Sequence, residues 1–265
     1  MPVFGLGTWR MGESPRRRAG ELDALVHGLE IGCPLIDTAE MYGEGEAETI
    51  VGEALARTRQ RPFVVSKVYP HNATRSGTIA ACERSLKRLG LERIDLYLLH
   101  WRGGVPLADT VEAFGRLREA GKIADWGVSN FDRDDMEEIA ATGADGCATN
   151  QVLYCLSRRG PDFDLLPWMA ARGMPLMAYS PLDQGALLRA PAIRTIADEI
   201  GCTPAQLALA WLLARPDVVT IPKSASRARV AENLGALEIE LSPAILARLD
   251  QAFPPPTRKR PLEIL

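Results

Sequence analysis

One pattern constrains this chain more than any other. Short aliphatic or β-branched runs alternate, from end to end, with longer stretches whose apolar residues recur at helical spacing. Runs of the first kind read as strands buried on both faces, and the helices between them make successive strands parallel. Eight strands are predicted: Val3–Thr8, Leu35–Ala39, Phe63–Lys67, Ile94–His100, Asp125–Asn130, Cys147–Val152, Pro175–Ser180 and Val218–Lys223. Eight such units favour closure into a (β/α)8 TIM barrel, and 265 residues lie within the usual size of one.

The segments between strands carry their own punctuation. Ile79, Cys82, Leu86 and Leu89 share a helix face, and Gly32, Gly90, Gly121, Gly143 and Gly173 stand where left-handed caps would end helices. Thr203–Pro204 restarts a helical pattern, as a capping residue followed by proline in the first turn, so two helices are expected between the last two strands. A final helix is expected over Ser242–Phe253, ahead of a PPPTRKRP tail. No linker, composition shift or fixed-period repeat divides the chain, so residues 1–265 are expected to form one domain.

Charge narrows the partners. The 31 basic and 34 acidic residues are interspersed and offer neither a basic stripe for nucleic acid nor a polybasic membrane anchor. The longest apolar run, Leu207–Ala214, is too short to span a bilayer, and the N-terminus shows no signal pattern. Five cysteines, an odd number without a C-x-x-C pair, read as reduced and core-filling. With three histidines and no H-E-x-x-H, a catalytic metal is not expected. GLGTWRMG and GEGEAE look glycine-rich, yet neither completes G-x-G-x-x-G between a strand and a helix. The expectation is a cytoplasmic protein, monomeric or at most weakly homo-oligomeric, acting on a small molecule.

Barrel interiors are apolar, so polar residues at strand ends call for a reason. Nearly every strand has one: Thr8, Asp37, Lys67, His100, Ser129 with Asn130, Asn150 with Gln151, Tyr179 with Ser180, and Lys223. Singly, Asp37 could cap a helix, Lys67 could snorkel and His100 could be a satisfied core histidine. Together they form the ring that a barrel-mouth site requires. A lysine beside a tyrosine, supported by an aspartate, suits proton donation, because an ammonium stabilises phenolate and the carboxylate holds the ammonium in place. On this reading Tyr42 is the acid, Lys67 and Asp37 tune it, and His100 donates a hydrogen bond to the substrate oxygen.

At these residues the chain resembles the aldo-keto reductases. GLGTW, DTAEMYGEGEAE, SKV, IDLYLLHW, GKIADWGVSNF, NQVLY, AYSPL and IPKSASRARVAEN occur in family order over almost the whole chain. MGE, DTAEMY, SKVYP, ATNQVLY and DLLPW look most like the family's bacterial methylglyoxal-reductase branch. The resemblance implies NADPH/NADP+ as cofactor, a small carbonyl substrate and a catalytic tetrad of Asp37, Tyr42, Lys67 and His100. It implies further that Thr8 is a cofactor-binding residue, that Ser129, Asn130 and Gln151 hold the nicotinamide carboxamide with Tyr179 stacked on its ring, and that Ser180 and Leu182 follow the pyrophosphate. Lys223, Ser224 and Arg229 would take the 2′-phosphate, with Glu232 and Asn233 near the adenine. Arg227, Arg229 and Glu232 also read as an ordinary solvated helix face. Trp9 and Trp101, each beside a strand end, would wall a narrow substrate pocket, or serve as rim packing. Of the N-terminal hairpin usual before GLGTW only MPVF remains, and Gln184 stands where relatives carry a small residue. The same residues would serve alcohol oxidation, and relatives also use this barrel as a redox-sensing regulatory subunit.

Overall fold

The computed structural model describes residues 1–143 and 146–265. Its eight strands are β1 Leu6–Gly7, β2 Leu35–Asp37, β3 Phe63–Val68, β4 Ile94–Leu99, β5 Ile123–Ser129, β6 Cys147–Leu153, β7 Leu176–Tyr179 and β8 Val218–Thr220. They pair in parallel and in chain order. The last returns to the first: Phe4 bridges Thr220 and Gly7 bridges Lys223, with Gly5 N donating to Thr220 O at 2.9 Å and Gly7 N to Pro222 O at 3.0 Å. The sheet is therefore a (β/α)8 barrel, as the alternation predicts. Gly7 sits at the closing seam, where a Cβ would stand 2.9 Å from the Ile221 carbonyl oxygen.

Several strands stop earlier than predicted. β1 is two residues long, β2 ends at Asp37 and β8 at Thr220, although the chain after β8 still pairs with Gly7 at Lys223. The helices are α1 Pro15–Glu30, α2 Glu46–Arg57, α3 Arg75–Leu89, α4 Leu107–Glu119, α5 Arg133–Ala141, α6 Leu165–Ala170, α7 Pro191–Ile200, α8 Pro204–Leu213, α9 Arg227–Leu234 and α10 Pro243–Ala252. Two of them, α7 and α8, do precede the last strand. Thr203 and Gln206 form the reciprocal cap of α8, and Ser242 caps the final helix.

Period-two alternation along the strands separates two apolar regions. Leu35, Val65, Leu96, Leu98, Met177, Val219 and Ile221 fill the barrel interior. Their neighbours Ile36, Val64, Tyr97, Leu99, Ala178 and Val218 belong to the layer between sheet and helices. Carrying the inward rows two residues further reaches Asp37 after Leu35, Lys67 after Val65, His100 after Leu98, Tyr179 after Met177 and Lys223 after Ile221. The rule that builds the core thus delivers the ionisable groups to its mouth. Burial pushes the thiols of Cys33, Cys82 and Cys147 up to about 12, which keeps them protonated as core filler. Among the described residues no helix is long and apolar enough to cross a membrane, and no cluster of three or more His, Cys, Asp or Glu is arranged to hold a metal.

Candidate active site and cofactor cleft

Lys67 is wholly buried, and its environment accounts for each of its three ammonium hydrogens. Nζ donates to Asp37 Oδ2 at 2.8 Å, to the Thr38 carbonyl at 2.9 Å and to Tyr42 Oη at 3.1 Å. Burial lowers the lysine's pKa while the Asp37 charge and hydrogen bond raise it, so the carboxylate holds the proton on nitrogen against desolvation. Tyr42 accepts from Lys67 and donates to no group among the described residues, which leaves its O–H for a ligand. Its pKa is pushed well above the usual tyrosine value, by burial first and by the Asp37 charge second. Burial outweighs the stabilisation of phenolate expected from Lys67, and Tyr42 stays protonated through neutral pH.

His100 lies edge-on to Tyr42, with ring centroids 5.6 Å apart. Burial, and then the Lys67 charge, hold its pKa well below the histidine range, so the ring is neutral at pH 7 and has one N–H to give. Asn130, in the left-handed region at φ 59°, ties the mouth together. Its Nδ2 donates to the His100 carbonyl at 3.1 Å, and its Oδ1 accepts from Tyr179 Oη at 2.9 Å. Ser129 Oγ donates to the Gln151 carbonyl at 2.9 Å.

Two adjoining cavities open here. The inner one, of about 130 Å³, includes Asp37, Tyr42, His100, Ser129, Asn130 and Gln151, together with Trp9, Trp101 and Tyr179. The outer cleft, of about 790 Å³, runs past Ser180 and Leu182 to Lys223, Ser224, Arg229, Glu232 and Asn233. Ser224 to Ser226 border it and lead directly into α9, whose first N–H groups and dipole favour an anion. Arg229 belongs to the cleft and makes no ion pair with any described residue. Its neighbour Arg227 is instead spent on Asp23 at 3.0 Å, on the solvated face.

Two residues of the predicted ring stand elsewhere. Thr8 is fully buried and donates Oγ1 to the Asp37 carbonyl at 3.0 Å, bordering neither cavity. Asn150 is turned away from the mouth: its amide accepts from Phe131 N and donates to Phe131 O at 2.7 Å. The structure also adds groups. Arg10 borders the cleft at φ 63°, its guanidinium 4.4 Å from the Trp9 ring and without a carboxylate partner among the described residues. Its place directly after GLGTW was the available signal. Met41, Ile264 and Leu265 line the inner cavity. Ser180, Asp183 and Gln184 all take left-handed φ, a concentration of strain at the cleft's edge of the kind found where a ligand is gripped.

Barrel, mouth and cleft together define a (β/α)8 protein with a buried Lys67–Asp37–Tyr42 cluster at one end of a cleft bordered by cationic side chains. The chain belongs to the aldo/keto reductase family, whose model matches residues 3–253. It is 48% identical to methylglyoxal reductase YeaE of Escherichia coli K12, over 100% of this chain and 95% of that protein. It is 34% identical to a glyoxal reductase of Bacillus subtilis, covering 94% and 88% of the two chains. Among solved structures, an aldo-keto reductase from Klebsiella pneumoniae in complex with NADPH superposes with a TM-score of 0.96 at 48% identity, covering 100% of this chain and 95% of that one.

Proposed function

We propose that this protein reduces small aldehydes and ketones, methylglyoxal among them, to alcohols with NADPH, and that Tyr42 is the proton donor. One observation carries the reading: every hydrogen of the buried Lys67 ammonium is committed, one of them to Tyr42 Oη, while the phenol's own hydrogen is not. The substrate oxygen takes its place between Tyr42 Oη and the neutral His100, which donates an N–H to it. The proton moves from Tyr42 Oη to that oxygen, and the phenolate left behind is stabilised by the Lys67 N–H it already accepts. Asp37 keeps Lys67 charged and aimed throughout.

The cleft fits a phosphorylated dinucleotide, because Arg10, Lys223 and Arg229 border it with no carboxylate partner among the described residues. Ser129, Asn130 and Gln151 would hold the nicotinamide carboxamide, with Tyr179 against its ring. Ser180, Leu182 and Arg10 would follow the pyrophosphate, Lys223, Ser224 and Arg229 the 2′-phosphate, and Glu232 and Asn233 the adenine. When bound, NADPH supplies hydride to the carbonyl carbon. Substrates are small because the inner cavity is narrow and walled by Trp9, Met41, Tyr42 and Trp101.

NADPH absorbance, followed over a panel of carbonyls, tests this reading. Methylglyoxal and compact aromatic aldehydes are expected to be turned over at far higher kcat/KM than steroid ketones. Absence of NADPH oxidation with every aldehyde would overturn it. For the 2′-phosphate, Arg229→Ala is expected to raise the NADPH Kd about 10- to 100-fold, the worth of one or two charge-assisted hydrogen bonds, and to leave NADH nearly unchanged. Equal losses for both cofactors would show that Arg229 does not read the phosphate.

A further inference from the structure

Gln151 lies at the barrel mouth on β6, 1% exposed, and its amide is spent in an unexpected direction. Nε2 donates to Asp37 Oδ1 at 2.7 Å and lies 2.8 Å from Met177 Sδ on β7, so both amide hydrogens are directed into the protein. Charge fixes this orientation, because turning the amide over would set Oε1 against a carboxylate oxygen. The other Asp37 oxygen receives Lys67. The carboxylate is thus held by a cation on one side and a neutral donor on the other. Oε1 has no hydrogen-bond partner among the described residues, and Gln151 borders the inner cavity.

We propose that Gln151 is a positioning residue for the proton donor, acting through Asp37 and Lys67 on Tyr42, beyond any contact with the cofactor. This rests on the reductase reading above. Lys67 can keep one N–H on Tyr42 only while Asp37 and the Thr38 carbonyl hold the other two. A carboxylate anchored at one oxygen alone could swing about its Cβ–Cγ bond and carry the ammonium with it; the Gln151 N–H on Oδ1 removes that freedom. The contact also draws some of the negative charge of Asp37 away from Tyr42, where that charge adds to burial in holding the phenol's proton. Without the contact, Tyr42 is both less well aligned and a weaker acid. The free Oε1 gives the device an input: a donor on the cofactor that bonds to it would polarise the Gln151 N–H toward Asp37, so seating the cofactor would tighten the proton donor.

The test compares Gln151→Leu and the near-isosteric Gln151→Glu, each alone and with Asp37→Asn. kcat is measured at saturating NADPH and methylglyoxal, and cofactor Kd separately by fluorescence. Gln151→Leu is expected to lower kcat about tenfold or more even at saturation, and this loss is expected to shrink about threefold or more once Asp37→Asn is present, because the part of its effect that runs through Asp37 is then already lost. Gln151→Glu sets a second carboxyl against Asp37, and such a pair binds one proton at raised pH. With that proton the variant still donates to Oδ1 and loses less kcat than Gln151→Leu; as pH rises the proton leaves and kcat falls to the Gln151→Leu level or below. Lys67, Tyr42, His100 and Tyr179, the other titratable groups around the carboxyl, are common to both proteins, so a limb found only in the variant belongs to the new carboxyl. Wild-type kcat at saturating cofactor, an undiminished loss in the Asp37→Asn background, or a profile without the new limb would each overturn the proposal. A wild-type protein that oxidises no NADPH with aldehydes would instead overturn the reductase reading, before any variant is compared.

Discussion

Tyr42→Phe is expected to lower kcat for methylglyoxal reduction about 10²- to 10⁴-fold, the range over which positioned acid catalysis acts, while NADPH affinity stays within a few-fold. The substitution removes one oxygen and its proton, which has no hydrogen-bond acceptor among the described residues. What remains keeps its place, since Lys67 still has Asp37 Oδ2 and the Thr38 carbonyl, and the space left by the phenol oxygen adjoins the inner cavity that Tyr42 lines. The outer cleft is built mainly from the segments after β1, β7 and β8 and from α9, none of which Tyr42 touches by hydrogen bond. Cofactor binding and proton delivery are therefore separable, and the signature is a large fall in kcat with an unmoved cofactor Kd. Because burial raises the Tyr42 pKa, and reduction needs the protonated phenol, wild-type kcat should hold level through neutral pH and fall only on the alkaline side. A phenylalanine variant within a few-fold of wild type at pH 7 would remove Tyr42 from the mechanism.

Much of this site follows from a single period. Strand side chains alternate, so once Leu35, Val65, Leu98, Met177 and Ile221 are assigned to the interior, the inward row must next present Asp37, Lys67, His100, Tyr179 and Lys223. The same parity shows why Asn150 and Gln151 could not both face the mouth, and the structure turns Asn150 outward to Phe131. Thr8 borders neither cavity for a related reason. It follows the two-residue β1, where the chain already curls under Trp9, and its hydroxyl serves the Asp37 backbone. Met41, Ile264 and Leu265 were not legible because loop and tail paths set their positions. Leu265 borders the same cavity as Trp9 although the two lie at opposite ends of the sequence. Helix termini were easier, since Thr203 with Gln206 and the glycines at positive φ act locally.

Lys67→Met is the harsher test, because it is expected to damage fold and function by separable routes. In the wild type the Lys67–Asp37 pair is almost wholly buried, with side chains 0% and 3% exposed. Removing the cation leaves a buried carboxylate with the Gln151 amide as its one remaining side-chain donor among the described residues, a loss of about 3–5 kcal/mol and hence a drop in Tm on the order of 10 °C for a chain of this size. Proton transfer loses the N–H that stabilises phenolate, so kcat should fall about 10²- to 10³-fold at temperatures where the variant is folded. Adding Asp37→Asn separates the two effects. The double variant has no buried charge to strand, so most of the lost Tm should return, yet it still lacks the ammonium and should stay inactive. Asp37→Asn alone, which keeps the lysine beside Tyr42, should be the mildest of the three in kcat. If the double variant recovered turnover along with stability, the role of Lys67 would be to neutralise Asp37 rather than to stabilise the phenolate, and the proton-donor assignment would need another stabilising group.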